Sequence, residues 1–375
     1  MTLVSAFVRQ VLWLVDVLVG GPAYARHLYL TRSQTPLDAG AVWQSLTQAE
    51  SPLFLWLAKH YPPAPIRKFL TTLYANTRDR IAGISEHYDI SNEFYQLFLD
   101  RRYMFYTCAD FVSATDTIET AQERKATYIL NLVDPKPGEQ ILDLGCGWGS
   151  MMKKVYETTR DDKHLLGYTL AHEQIRFIQD TYGFQVEFKD LVTTAFEPEF
   201  FDKIYTVGVV EHIPLHQLLP VAQNLAKAIK PNGRIVQHFF CQLSDAPSTR
   251  LFAAGIKMFP GAELASLRHH LRVFDQAGLD IVHQSIHNYR PTLQAWYDRL
   301  AERRDEAIRL VGVHNYNRYL CYLADAWRLF DDRDLILTRF VLQRQDASVK
   351  LQVDITCQTA QAIHASQEQV VSWTG

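Results

Sequence analysis

A mostly parallel α/β sheet covered on both faces, with an antiparallel edge and a separate helical region ahead of it, is the fold this sequence predicts. Three observations predict it. From residue 138 short apolar runs alternate with longer amphipathic stretches, the pattern of strands joined by crossover helices. A glycine-rich turn, Asp143-Leu144-Gly145-Cys146-Gly147-Trp148-Gly149, follows the first of those runs directly. Before residue 100 there is neither a strand pattern nor a repeat.

Taken in order, residues 3–19 predict an apolar helix stopped by Gly20-Gly21-Pro22. Helical segments follow around 40–60 and 64–82, separated by Tyr61-Pro62-Pro63-Ala64-Pro65. Strands are expected at 140–145, 164–169, 184–188, 203–208, 234–240, 280–286 and 335–343, with helices such as 171–182 and 217–229 between them. A segment helical throughout, 293–331, separates the last two strands, which are expected to form the antiparallel edge. The expected organisation is therefore a helical region at 1–80, an α/β domain at 81–345, and a polar tail at 346–375.

The chain has 375 residues, 47% of them hydrophobic, enough for a full core and an accessory domain. A net charge of −3 argues against a nucleic-acid partner. Residues 1–80 hold eight Lys/Arg against four Asp/Glu, which is +4, and leave −7 for the rest. A basic, apolar start ahead of an acidic body suits a peripheral membrane surface, against the plainer reading of a helical region with ordinary surface charge. Cys108, Cys146, Cys241, Cys321 and Cys357 are odd in number, scattered and without CxxC spacing, so neither a disulfide framework nor a zinc site is expected. The chain reads as cytoplasmic and reduced. Arg9 and Asp16 interrupt the first apolar run, which reads as neither a signal peptide nor a spanning helix.

The glycine turn sits at the carboxyl end of the first strand, where open α/β sheets bind ligands. An NAD site expects an acid at the tip of the second strand, but that strand runs into Tyr168-Thr169-Leu170. The acid instead stands two places before the first glycine, in a D-x-G-x-G-x-G spacing. This resembles the first motif of the class I methyltransferases, whose Rossmann-like, seven-stranded, mostly parallel sheet with an antiparallel edge binds S-adenosyl-L-methionine.

Further segments carry a narrower resemblance. They are His87-Tyr88-Asp89-Ile90-Ser91-Asn92-Glu93-Phe94-Tyr95, Tyr106-Thr107-Cys108-Ala109-Asp110-Phe111, Thr169-Leu170-Ala171-His172-Glu173-Gln174, Val207-Gly208-Val209-Val210-Glu211-His212, and His287-Asn288-Tyr289-Arg290-Pro291-Thr292-Leu293. In order and spacing they resemble the cyclopropane-fatty-acyl-phospholipid synthase and mycolic acid cyclopropane synthase family. The resemblance implies cofactor contacts at Tyr106, Thr107, Asp143, Gly145, Cys146, Gly147, Gly149, Thr169, Gln174, Asp190 and Leu191. Lys189 stands where the family often has glutamine, a departure from its pattern at that end of the pocket. It also implies a bound bicarbonate held by Cys108, Glu211, His238, Tyr289 and the backbone of Phe240. His87, Tyr88 and His212 fall to the substrate side. Single residues have plainer readings: Cys108 as a buried small hydrophobe, His238 as a satisfied core histidine, His87 as a helix cap.

The chemistry implied is transfer of a methyl from the sulfonium to the double bond of an unsaturated phospholipid acyl chain. The resulting carbocation loses a proton from the new methyl to close a cyclopropane ring. Bicarbonate suits as a base that is not itself alkylated, with Glu211 and His238 accepting the proton onward and Cys108 and Tyr289 donating hydrogen bonds. Phe239, Phe240, Tyr88 and Tyr106 are candidates for stabilising the cation. Residues 251–262 have the make-up of a lid. Trp296, Tyr297, Leu300, Tyr316, Tyr319, Leu320 and Trp327 either wall an acyl tunnel or fill a core. Competing readings are a fatty-acyl C-methyltransferase giving a branched, methylene or furan-precursor product, a small-molecule N-methyltransferase, and a catalytically dead cofactor binder. A homodimer is the candidate assembly, and no metal is expected.

Overall fold

The structure is a computed structural model; it describes residues 21, 26–27, 29–48, 51–61, 63–66, 68–69, 72, 91–245, 248, 251, 264–349 and 351. The helix expected at 3–19, most of 64–82, His87 and Tyr88, nearly all of the 251–262 segment, Cys357 and most of the tail lie outside the described residues. In chain order the elements are helices α1 Ala39–Thr47, α2 Pro52–His60, α3 Asn92–Phe98 and α4 Ile118–Val133, then β1 Ile141–Leu144, α5 Ser150–Thr159, β2 Leu165–Thr169, α6 His172–Tyr182 and β3 Gln185–Phe188. There follow β4 Phe201–Val207, a 3₁₀ turn Val210–His212, α7 Leu215–Ala228, β5 Ile229–Gln242, α8 Leu267–Gln276, β6 Leu279–His287, α9 Arg290–Glu302, α10 Arg304–Asp331 and β7 Leu335–Arg344.

Two compact units partition the chain. The helical one takes residues 1–98, 244–263 and 293–335, so it is not confined to the N-terminal segment. The other takes residues 99–243, 264–292 and 336–375 and holds the sheet.

The sheet has seven strands in the order β3-β2-β1-β4-β5-β7-β6. The β1–β2, β1–β4, β2–β3 and β4–β5 pairs are parallel, and β6 pairs with β7 antiparallel from Leu279↔Arg344 to His287↔Leu337. Successive residues of the central strands serve opposite faces, because side chains alternate along a strand. Leu142, Ile204, Ile235 and Phe340 pack on one face with Leu225 of α7 and Phe274 of α8. Ile141, Tyr205, Val236 and Val341 pack on the other with Ile129 of α4, Met152 and Val155 of α5, and Ile178 of α6. Both faces are therefore dry, which explains why these strands are continuous apolar runs.

In the helical unit, Trp43 of α1 packs against Tyr297 and Trp327 at ring separations of 4.6 and 5.5 Å. Phe94 of α3 meets the Tyr319 ring edge-on at 4.9 Å, and the Tyr95 and Tyr319 hydroxyls are 2.8 Å apart. Trp296, Tyr297, Leu300, Tyr316, Tyr319 and Leu320 are all buried in this way. Within this unit the aromatic stripe is core, so the plainer of its two readings holds. The 293–331 segment is two helices, and α10 itself breaks at Gly312, which has a φ of 79°.

Candidate active site

The glycine turn emerges from β1 with its geometry set by β2: the amides of Gly145 and Cys146 both donate to the Tyr168 carbonyl, at 2.8 and 2.9 Å. Its three glycines do different work. A Cβ on Gly145, at φ +81°, would stand 2.2 Å from Cγ2 of Val209, in the loop after β4. A Cβ on Gly149, which opens α5, would stand 2.9 Å from Ile178 of α6. Only Gly147 has open space where a side chain would be. Close packing thus explains Gly145 and Gly149, whereas Gly147 is the position at which a ligand can approach the backbone.

Asp143 lies beneath this turn, 2% exposed, beside Tyr205 in the register with β4. Its Oδ2 has no hydrogen-bond partner. Burial pushes its carboxyl up to about 8, with the Tyr205 phenol opposing. The Cys146 thiol turns into the core, its Sγ 3.0 Å from where a Gly167 Cβ would be, and only its backbone remains for a cofactor. At the tip of β2, Thr169 donates through Oγ1 to Oε1 of Gln174 on α6 at 2.6 Å. After β3, Asp190 accepts the Val192 amide at Oδ1, and Leu191 packs on the core. Lys189 is tied to Glu187 at 2.9 Å and to the Tyr168 hydroxyl at 3.3 Å.

The ends of β4 and β5 hold the acid–base groups. Val207 pairs with His238, and the Gly208 amide donates to the His238 carbonyl at 2.8 Å. A Cβ on Gly208 would meet Thr107 Cγ2 at 2.6 Å and Glu211 Oε1 at 3.9 Å, so Thr107 and Glu211 flank this residue. Glu211 lies in the 3₁₀ turn with half-buried His212, and its Oε2 is buried without a partner. Burial pushes the Glu211 carboxyl up to about 8, only partly opposed by the backbone amides of Glu211 and Phe240. His238 is 1% exposed; its Nε2 is buried without a partner, while Nδ1 accepts from Arg339 Nε at 2.9 Å. Burial, and then the positive charge of Arg339, hold the imidazole well below its ordinary pKa. Phe239 points to the opposite face, stacked on Phe340 and against His270, which removes it from the cation-stabilising candidates.

The loop carrying Tyr106, Thr107 and Cys108 is pinned to the segment carrying Tyr289. The Cys108 thiol contacts the Asn288 carbonyl at 3.7 Å, and the Ala109 amide donates to Thr292 Oγ1 at 3.0 Å. Cys108 is fully buried, and burial, with Asp110 nearby, holds it protonated far above the usual thiol range. Thr107 Oγ1 accepts from the buried Lys125 at 3.0 Å, and the Thr107 carbonyl from Gln122 at 2.9 Å. Tyr289 is buried, and Tyr106 and Phe240 are half-buried.

Sequence reasoning missed the ion cluster that ties these pieces together. Asp110 forks onto Arg339 at 2.8 and 2.9 Å and accepts from His287 Nδ1 at 3.0 Å. All three are nearly inaccessible. Arg339 was detectable as the one charge inside the apolar run Leu335–Leu342. Asp110 and His287 each stand two residues from a singled-out position, Cys108 and Tyr289. Among the described residues, no cluster of His, Cys, Asp and Glu is suited to a metal. The four described cysteines, Cys108, Cys146, Cys241 and Cys321, are buried and unpaired with one another.

The model of the family described as mycolic acid cyclopropane synthetase matches residues 75–340. The chain belongs to that family. This chain is similar to cyclopropane mycolic acid synthase 2 of Mycobacterium leprae, 30% identical over 291 residues, covering 70% of this chain and 93% of the relative. A probable fatty acid methyltransferase of Mycobacterium tuberculosis, Rv3720, is 30% identical over 289 residues, which are 73% of this chain and 65% of the relative's length. Among solved structures, mycolic acid cyclopropane synthase CmaA1 complexed with SAH and CTAB is similar, with a TM-score of 0.64 at 25% identity over 70% of this chain and 98% of that one. The fold is accordingly that of the class I methyltransferases, and this family member is an S-adenosylmethionine-dependent methyltransferase.

Proposed function

We propose that this enzyme transfers a methyl from S-adenosylmethionine to the double bond of an unsaturated phospholipid acyl chain and closes a cyclopropane ring. The observation that carries the reading is the pair of buried, unpartnered polar atoms, Glu211 Oε2 in the turn after β4 and His238 Nε2 in β5, where His238 pairs with the last residue of β4. Such atoms cost about 1–3 kcal/mol each unless a ligand atom partners them. A small oxyanion suits them. Bicarbonate fits this donor set, with Cys108, Glu211, His238 and Tyr289 as its holders, while the Phe240 amide, expected as a further holder, donates to the Glu211 carboxyl instead.

When bound, S-adenosylmethionine supplies an electrophilic methyl and bicarbonate supplies a base that is not alkylated. The chain's own residues do the rest. Gly147 opens the backbone to the methionine end of the cofactor, while Tyr106, Thr107, Asp143, Thr169, Gln174, Asp190 and Leu191 surround the remainder. The buried Cys108 thiol keeps its proton and so acts as a hydrogen-bond donor, not a competing nucleophile. Burial around Glu211 and His238 excludes water, which would otherwise quench a carbocation on the acyl chain. Names of the relatives support acyl-lipid chemistry, and they also favour one second reading, fatty-acyl C-methylation without ring closure.

Lipid mass and proton spectra after incubation with S-adenosylmethionine and unsaturated phospholipid test this. A gain of one methylene with loss of olefinic protons and new high-field ring protons is expected. The same gain with the olefin retained would replace ring closure by C-methylation.

We place the enzyme at the cytoplasmic face of a membrane. The helical unit exposes Leu53, Trp56, Tyr61, Ile66 and Phe69, and residues 1–80 are basic by four charges. Among the described residues no helix is long and apolar enough to cross a bilayer. Flotation with anionic liposomes tests docking, and equal flotation after Trp56→Ser and Phe69→Ser would remove this surface from the proposal.

A further inference from the structure

We propose that Arg339 is a positioning residue that locks His238 in one tautomer, with its proton on Nε2, so that His238 acts as a hydrogen-bond donor and not as a base. This rests on the reading of the site given above and assigns one of its residues a definite role.

Arg339 is fully buried in β7, and its guanidinium lies 4.8 Å from the centre of the Tyr128 ring. Both terminal nitrogens are committed to Asp110, at 2.8 and 2.9 Å. The carboxylate of Asp110 also accepts His287 Nδ1 at 3.0 Å, and His287 Nε2 lies 2.9 Å from Ser285 Oγ. The plane of the fork is thereby set from β6 and from the loop that carries Cys108. What remains is the Nε–H, and it points at His238 Nδ1 from 2.9 Å.

A guanidinium only donates, and it stays protonated in proteins. His238 Nδ1 must therefore carry a lone pair, and the neutral ring must hold its proton on Nε2. Protonating Nδ1 would set N–H against N–H and add a further cation to Arg339, Lys125 and His287, with Asp110 the opposing charge. The Nε2–H has no protein partner. It is a fixed donor toward a ligand oxygen, in the sense in which preorganised donors stabilise an anion. The step that removes a proton from the substrate then cannot end on His238, because Nε2 is already occupied and Nδ1 faces a cation. This revises the expectation that Glu211 and His238 both accept that proton; of the two, only Glu211 can, in its ionised form.

The test is histidine ¹⁵N labelling of the full chain and two-bond ¹H–¹⁵N correlation spectra, with His238→Gln to identify the signal. One ring is expected to show the neutral Nε2–H pattern, unchanged from pH 5.5 to 8, and to vanish in the variant. An Nδ1–H pattern, or a midpoint near that of a free histidine, overturns the proposal. Arg339→Lys removes the planar donor while keeping the charge. It is expected to mix the two tautomers, and to lower kcat by about 10²-fold with the KM for S-adenosylmethionine within roughly two-fold. A mixed tautomer with normal kcat overturns the positioning role. If Arg339→Lys does not fold, the wild-type spectrum still decides the tautomer. Should the wild type show the Nε2–H form yet leave every unsaturated lipid untouched, the lock stands and the substrate assignment falls.

Discussion

Gly145→Ala separates what packing requires of the glycine turn from what a ligand requires. Alanine at φ +81° pays about 1–2 kcal/mol for a left-handed backbone. Its Cβ would sit 2.2 Å from Val209 Cγ2, and relieving such an overlap in a packed core costs about 1–3 kcal/mol more. The stiffer unfolded chain returns roughly 0.4–1 kcal/mol. A net loss of about 2–4 kcal/mol is expected, read from urea denaturation monitored by tryptophan fluorescence. Adding Val209→Ala removes the overlap but not the backbone strain. The double variant should therefore be more stable than the sum of the singles by about 1–3 kcal/mol. Gly147→Ala, at φ +54° with open space around it, should cost only about 1 kcal/mol yet weaken S-adenosylmethionine binding at least as much as Gly145→Ala does. A Gly145→Ala variant within about 0.5 kcal/mol of wild type, or two substitutions that add without coupling, would refute close packing as the reason for Gly145.

Glu211→Gln should abolish turnover while leaving cofactor affinity largely intact, and a normal rate would remove Glu211 from the proton-accepting role. The same variant carries a pH signature. A carboxyl raised to about 8 stabilises the fold fully below about 4.5, and that contribution is lost as pH rises through about 8. The glutamine variant should therefore gain on wild type by roughly 3–5 kcal/mol between pH 5 and 9, measured by denaturation at each pH; a constant difference would contradict this. Asp143, also raised to about 8, should release close to one proton when the cationic cofactor binds at pH 7. Calorimetry in buffers of different ionisation enthalpy measures that release, which Asp143→Asn should erase. Finally, Arg339→Met strands the Asp110 charge and should cost about 3–5 kcal/mol, while Asp110→Leu with Arg339→Met should recover much of it in thermal melts.

Local pattern by itself determined the sheet. The seven apolar runs lie within a few residues of β1 to β7, because parallel strands buried on both faces must be apolar throughout, and the edge pair β6–β7 is antiparallel as expected. Cys108, Glu211, His238 and Tyr289 were singled out by the resemblance to the cyclopropane synthase family, and not by their residue types alone. Only the tertiary structure decided what surrounds them. Gly145 answers to Val209, 64 positions away, and the Cys146 thiol to Gly167 and Met152 on neighbouring elements. Asp110, His287 and Arg339 come from a loop, from β6 and from β7. No local period links residues so distant in the chain, since what joins them is the need of each buried charge for a partner. The role of His238 belongs to the same class: the residue was visible in the sequence, but which of its nitrogens carries the proton depends on a guanidinium 101 positions later.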